Sequence, residues 1–291
     1  MISILIATYQ WDTEQLVRQL VHEISTKGIQ AEIICIDDAS GFEQSPSFLG
    51  LPFLTYNSLS ENIGRSALRN KLARQAKYPL LLFLDADSLP KNEDFISKYV
   101  AASKLFDVVC GGTAYYDDPP DDSSEILRWE YGKEREQRKA DIRSVHPYHS
   151  FTSNNFLIKK SVFEKNPFDQ SIREYGHEDT LFGISLKKNN TKIGHIDNAV
   201  YHLGLDSGEL FIQKTEQAVS NLVKLYKSGR VGEEIRLIRT YLKLKNLGLR
   251  FFFRLYFKCI KTSLRKNLLS KYPKLRNLDL LKLGVFCELN S

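Results

Sequence analysis

The chain has 291 residues, 42% of them hydrophobic and 26% charged, with a formal net charge of +6. That composition excludes collagen, coiled coil and wholesale disorder, and the length suits one large α/β domain with an appendage. The charge is uneven: residues 224–282 hold 17 Lys or Arg against 3 Asp or Glu, whereas residues 1–223 hold 24 basic and 31 acidic side chains. An acidic body carrying a strongly basic C-terminal segment points to a polyanionic or membrane partner for that segment.

In chain order, Ile2–Ala7 reads as a short buried strand. Asp12 to Thr26 places Leu16, Val17, Leu20 and Ile24 at helical spacing. Ala31–Ile36 is a second buried strand ending in Asp37-Asp38. Leu51–Asn57 is a third, Arg65–Lys77 a helix, and Pro79–Leu84 a fully apolar fourth strand ending in Asp85-Ala86-Asp87. Strand and helix alternating at this spacing predict βαβ units, hence a mostly parallel sheet flanked by helices.

Beyond it, Asn92–Leu105 reads as a helix, Asp107–Tyr115 as a strand, 116–123 as a loop and Ser124–Asp141 as one charged helix. A loop with His146, Pro147 and His149 leads to a strand at Phe151–Ile158. Gly176 opens a helix at Glu178–Lys188. Short strands follow at Lys192–Ile196 and Ala199–His202. From Asp206 the pattern is helical, with Asp206 and Glu209 spaced as a capping box. The expected division is a catalytic domain over residues 1–205 and a basic, amphipathic helical extension over 206–291.

Four cysteines, Cys35, Cys110, Cys259 and Cys287, form no close pair, which suggests neither a zinc site nor a disulfide framework. The apolar start at Met1–Ile6 lacks a basic leader, and no run reaches about 18 uncharged apolar residues. The expected location is cytoplasmic, peripheral on the inner face of the membrane.

Polar residues gather where strands end: Thr8-Tyr9, Asp37-Asp38, and Asp85 with Asp87. Ligands of open parallel sheets bind outside the carboxyl ends of strands, so these motifs converge on one crevice. Two carboxylates at i and i+2 can address a divalent cation, and hard oxygens suit Mg²⁺ or Mn²⁺ beside a phosphate.

These motifs resemble glycosyltransferase family 2 enzymes with the GT-A fold, a Rossmann-like sheet. The resemblance runs from Ile2 to about Tyr226. It rests on Ile6-Ala7-Thr8-Tyr9, Ile36-Asp37-Asp38-Ala39-Ser40, Glu61-Asn62-Ile63-Gly64-Arg65 leading to Arg69-Asn70, and Leu84-Asp85-Ala86-Asp87-Ser88. Further on it rests on Ser153-Asn154-Asn155, Tyr175-Gly176-His177-Glu178-Asp179 and Val200-Tyr201-His202. It implies inverting transfer of a sugar from a nucleotide donor to an acceptor hydroxyl, the acceptor being a glycan or a lipid-linked glycan.

Carried over by position, Thr8, Tyr9, Asp37 and Asp38 would line the nucleoside pocket. A carboxylate there can accept a uracil N–H, favouring a UDP-sugar. Asn62, Gly64, Arg65 and Arg69 would lie beside the nucleotide. Asp85 and Asp87 would meet ribose and metal, and His202 would be the third metal contact. Asp179 matches the catalytic base, a role typically worth ~10²–10⁴-fold in rate. Asn155, His177 and Glu178 would contact the acceptor. The alternative for Glu178-Asp179 is an acidic first turn that complements the helix dipole.

In the C-terminal segment, Arg250, Arg254, Lys258, Lys261 and Arg265 form one helical stripe. Phe253, Phe257, Ile260, Leu264 and Leu268 form another, broadened by Phe251, Phe252, Leu255 and Tyr256. A basic stripe beside an aromatic face predicts contact of residues 248–282 with an anionic membrane surface. The alternative is a helix packed on the protein with its basic side solvated. No nucleic-acid-binding module is recognisable. Two other readings compete: a haloacid-dehalogenase-like phosphohydrolase using Asp85 and Asp87, and a non-catalytic membrane-bound scaffold.

Overall fold

The structure is a computed structural model, described here over residues 1–171 and 176–290. The chain divides into two compact units. The first comprises 1–116, 135–173 and 178–204; the second comprises 117–134, 174–177 and 205–291. Segment 117–134, expected within the catalytic domain, belongs to the second unit.

In the first unit, β1 (Ile2–Thr8), β2 (Ala31–Asp37), β3 (Leu54–Ser58), β4 (Leu80–Asp85), β6 (Val108–Cys110), β8 (Asn155–Lys159) and β9 (Ile193–His195) form one seven-stranded sheet. Its order is β3-β2-β1-β4-β8-β6-β9. β1, β2, β3 and β4 are mutually parallel, and β8 runs antiparallel between β4 and β6. A second sheet joins β5 (Ser88–Pro90), β10 (Val200–His202) and β7 (Thr113–Ala114) in the order β5-β10-β7. The expected strand at Asp107–Tyr115 is therefore two strands serving different sheets.

Helices α1 (Glu14–Lys27), α2 (Pro46–Leu49), α3 (Arg65–Gln75), α4 (Phe95–Ala102), α6 (Ala140–Ser144), α7 (Lys160–Phe163) and α8 (Glu178–Lys188) complete this unit. Strand alternation divides the core into two layers. Ile2, Ile4, Ile6, Leu82 and Leu84 pack with α1 and α4, while Leu5, Leu81 and Phe83 pack with α3 and α8. The second layer centres on Phe83 stacked on Phe156 at 4.9 Å, with Phe163, Phe168 and Phe182 around them. Such rings are the largest apolar contributors to a core. Glu23 of α1 is buried because its carboxylate accepts the Ile96 and Ser97 amides at 2.8 and 3.0 Å, capping α4 from outside. Those amides have no partner within their own helix.

In the second unit, α5 (Ile126–Tyr131), α9 (Gly208–Lys227), α10 (Arg236–Asn246), α11 (Arg250–Leu268) and α12 (Leu275–Leu289) form a helical cluster. The single helix expected over Ser124–Asp141 is broken: α5 passes into a wide turn at Gly132–Glu136 before α6. The cap of α9 is Ser207, whose hydroxyl accepts the Leu210 amide at 3.4 Å, and Asp206 instead receives Lys214 Nζ at 2.8 Å. This corrects the expected capping box.

Helix α11 packs on α12, where Gly284 admits the Phe257 ring; a Cβ there would lie 2.2 Å from it. Phe257, Leu264 and Leu268 are buried. The apolar stripe expected to face a lipid surface is thus the packing face of α11. Arg265 pairs with Glu216 at 2.9 Å and Lys261 with Glu288 at 3.2 Å, tying part of the basic stripe to neighbouring helices. No described helix is long and apolar enough to cross a membrane.

Candidate active site

The carboxyl ends of β1, β2 and β4 lie side by side, because Thr8 is in register with Asp37 and Ala7 with Asp85. Thr8 and Asp37 are 2% and 1% exposed. Thr8 Oγ1 donates to the Trp11 carbonyl at 3.2 Å, while Tyr9 stands out in solvent. Asp37 accepts the Ser40 amide and hydroxyl at 2.9 and 2.6 Å and the Ser58 hydroxyl at 3.0 Å.

Asp38 accepts the Ile63 and Gly64 amides at 2.8 and 2.9 Å, and its carbonyl receives Asn62 Nδ2 at 3.1 Å. Both aspartates are buried and hydrogen-bonded within the protein. They build the loops at this end of the sheet, at the edge of the crevice where the strands end. Gly64 precedes α3 at φ +81°, a conformation that L side chains rarely adopt.

Helix α3 then carries Arg65 and Arg69 one turn apart. Arg65 is exposed and lies 4.0 Å from Glu178. Arg69 is 3% exposed. Its Nη2 donates to Asp85 Oδ1 at 2.6 Å, and its guanidinium sits 5.3 Å from the Phe168 ring. Asn70 holds that segment by exchanging two 2.9 Å hydrogen bonds with the Phe168 backbone. Burial pushes the Asp85 carboxyl up, but Arg69 and Arg65 outweigh it and hold the group below the usual carboxylate range.

Asp87 lies two residues beyond Asp85 on the turn into β5. Antiparallel pairing of β5 with β10 sets His202 opposite Ser88, and His202 Nδ1 comes within 3.4 Å of Asp87 Oδ2. The small sheet thus joins two residues separated by 115 positions. Gly204 leaves room for this carboxylate, since a Cβ there would lie 2.7 Å from Asp87 Oδ2. A recess of about 340 Å³ beside this turn is lined by Gln10, Trp11, Ala86, Ser88 and Leu203 among others.

Among the described residues no group of three or more His, Cys, Asp or Glu side chains is arranged to hold a metal ion. Asp87 and His202 fit as two ligands of one cation, whereas Asp85 is engaged by Arg69.

Asp179 lies in the first turn of α8. Its Oδ2 accepts the Ser153 amide at 3.2 Å, and its Oδ1 is buried without a hydrogen-bond partner among the described residues. Burial, followed by the charge of Glu178, raises its carboxyl; Arg69 and Ser153 pull against that, and the balance pushes it up to about 6. Two other buried atoms without a described partner belong to the same chain of contacts: Arg69 Nη1, whose other nitrogen holds Asp85, and Asn154 Oδ1. The Asn154 carbonyl accepts the Asp85 amide at 3.0 Å, and Ser153, which holds Asp179, is its neighbour. Buried polar groups are nearly always paired, so a cluster of unpaired ones marks a place for a ligand.

Asn155 is not part of that cluster. It is fully buried in β8, donating to the carbonyls of Gly112 and Asn198 and accepting the Tyr99 hydroxyl at 2.6 Å. Asn155, expected to contact the acceptor, is thus held inside the fold. Asn154, the preceding residue, is the one on the open side. His177 adopts φ 72° and lies in the short stretch belonging to the second unit. Tyr175 lies outside the described residues. His146 and His149 are exposed, whereas His195 is buried and held by Arg143 at 2.8 Å and the Pro147 carbonyl at 2.9 Å.

The fold aligns with solved structures. Residues 1–349 of TarS from S. aureus match at TM-score 0.52 and 18% identity, covering 75% of this chain and 64% of that one. The same fragment in complex with UDP matches at TM-score 0.51 and 19% identity, with the same coverage. The mannosyltransferase PcManGT from Pyrobaculum calidifontis, in complex with GDP-Man and Mn²⁺, matches at TM-score 0.54 and 16% identity, covering 79% of this chain and 64% of that one. The chain therefore spans somewhat under two thirds of these relatives. No curated protein matches the sequence. The sheet order, with one antiparallel strand inserted beside β4 and a small second sheet, is the GT-A arrangement. Residues 3–166 match the family described as glycosyl transferase family 2, more than half of the sequence, and the chain belongs to that family.

Proposed function

We propose that this protein is an inverting glycosyltransferase that moves a sugar from a UDP-sugar to an acceptor hydroxyl on a glycan or lipid-linked glycan. The observation that carries the reading is the split between two carboxylates around one arginine. Asp85 is held ionised by Arg69, while Asp179, with one unpartnered oxygen, is raised to about 6. Paired titratable groups with opposed shifts are the mark of an acid–base assignment.

An alcohol is a poor nucleophile, and Asp179 Oδ1 is the atom that takes its proton during attack. The amide of Ser153 holds the other oxygen and so aims the carboxylate. Glu178 beside it raises its proton affinity, which keeps the base matched to near-neutral pH. Arg69 and Arg65 supply positive charge for the donor's diphosphate, and Gly64 lets the backbone of the α3 start approach it. Asp87 and His202 would hold a divalent cation, Mn²⁺ or Mg²⁺, which when bound stabilises the departing diphosphate as a Lewis acid.

UDP is the donor nucleotide we infer because a carboxylate at the end of β2 suits a uracil N–H; one aligned structure holds UDP and another GDP-Man. The phosphohydrolase alternative is disfavoured because Asp85, its required nucleophile, is locked to Arg69 at 2.6 Å. The acidic and basic halves suggest an enzyme working at a membrane on the cytoplasmic side, where a lipid-linked acceptor would be found.

Titration calorimetry with UDP and with GDP, each with and without Mn²⁺, tests the donor. Metal-dependent UDP binding supports the reading, metal-dependent GDP binding redirects it, and binding of neither overturns it.

A further inference from the structure

The turn between α10 and α11 and the first turns of α11 expose an unusual set of side chains. Phe251 is 68% exposed, Phe252 66%, Leu255 56% and Tyr256 55%, and Leu247 and Leu249 of the turn are also exposed. Residues 251, 252, 255 and 256 lie on one face of the helix. It is a different face from Phe257, Leu264 and Leu268, which pack on α12. So the helix has two apolar faces, one buried within its unit and one facing solvent. Isolated exposed apolar residues are ordinary, but a contiguous aromatic cluster marks an interaction site.

The charge around the cluster narrows the partner. Residues 235–278 contain 13 Lys or Arg and no Asp or Glu. Lys243, Lys245 and Lys258 flank the cluster and are exposed. A partner must therefore be anionic where it meets the rim and apolar where it meets the centre. A second copy of this surface would bring like charges together. A nucleic acid would satisfy the rim and leave the aliphatic part of the cluster in water. An anionic bilayer offers both phases, with headgroups outside and acyl chains beneath.

We propose that the α10–α11 corner, Leu247 to Tyr256, is a wedge that inserts into the headgroup–acyl boundary of an anionic bilayer. The residues that enter are those the helical cluster leaves exposed, and Phe257, Leu264 and Leu268 stay inside the protein. This deepens the membrane part of the proposed function and rests on it, but not on the donor or the reaction.

The test is flotation of the full chain with vesicles of mixed phosphatidylglycerol and phosphatidylcholine, against phosphatidylcholine alone, at about 0.1 M salt. Binding to the anionic vesicles alone is expected. Phe251→Ser with Phe252→Ser should lower partitioning at least ~tenfold, and because both side chains are solvent-exposed the melting temperature should not move. Lys243→Gln, Lys245→Gln and Lys258→Gln should each lower it about fivefold. In a Phe252→Trp variant, emission should be quenched by lipid brominated on its acyl chains.

Anionic binding insensitive to the serine changes would overturn the wedge while leaving membrane association intact. No vesicle binding would remove both. A concentration-dependent dimer abolished by the serine changes would assign the surface to a second copy. Retention of single-stranded RNA with no vesicle binding would assign it to nucleic acid. Asp179→Asn should leave flotation unchanged, so loss of transfer and loss of membrane contact are read separately.

Discussion

Arg69 Nη2 reaches Asp85 Oδ1 at 2.6 Å from a helix that begins twenty residues earlier in the chain, and the same guanidinium lowers the proton affinity of Asp179. One buried cation thus faces two carboxylates that end up on opposite sides of the usual range. Replacing Arg69 with Gln should destabilise the protein by about 1–3 kcal/mol, less than for a fully buried pair because Asp85 retains some contact with water. Its sharper signature is kinetic. Without the arginine the Asp179 carboxyl rises further, so the acidic limb of the pH–rate profile moves to higher pH. A profile that keeps its midpoint in Arg69→Gln would remove Arg69 from the electrostatics of the base.

The wild-type profile should fall below about pH 6 and approach tenfold per unit, because protonated Asp179 cannot accept the acceptor's proton. Measuring transfer from pH 5 to 8 under donor saturation gives the midpoint directly. A midpoint near 4 would mean that Asp179 is not the titrating base.

Asp179→Asn should reduce transfer by about 10²–10⁴-fold or more and leave UDP affinity nearly unchanged. It should also raise stability. The folded-state value of this acid lies above its unfolded one, so its ionisation costs the fold stability as pH rises from about 4 through 6. Above pH 7 the Asn variant should be more stable by about 1–2 kcal/mol, and the difference should vanish toward pH 4. Thermal melts at pH 4 and 7.5 check the sign.

Asn154 and Asn155 should separate by phenotype. Asn155→Ala removes the side-chain bonds to the Tyr99 hydroxyl and to the buried carbonyls of Gly112 and Asn198, although Tyr99 keeps the Asn155 carbonyl, at a cost of roughly 1–3 kcal/mol. Asn154→Ala should leave the melting temperature close to wild type and lower transfer. Chemical denaturation beside single-turnover kinetics distinguishes the two.

His202→Ala should abolish the enhancement of UDP binding by Mn²⁺ while leaving metal-free binding as it was, since Asp87 loses the partner 3.4 Å away. Gly204→Ala should mimic it in part by crowding Asp87 Oδ2. Calorimetry with and without the cation reads both.

The order of strands and helices through β4, the convergence of Thr8, Asp37 and Asp85 at one sheet end, and α8 beginning at Glu178 were all legible in the amino-acid order. Each depends on hydrophobic period or on a local turn, and those are properties of neighbouring residues. What remained hidden depends on partners distant in sequence. Asp85 pairs with the Arg69 side chain 16 residues away, and Asp38 accepts the backbone amides of Ile63 and Gly64, 25 and 26 residues away, to hold the loop before α3. Asn154 and Asn155 are neighbours in sequence yet differ in burial, because successive side chains point to opposite faces. In the C-terminal segment the composition by itself determined a basic, amphipathic helix. Only the tertiary structure decided which of its two apolar faces is buried, because Gly284 opens a seat for Phe257 on α12 and leaves Phe251 and Phe252 in solvent.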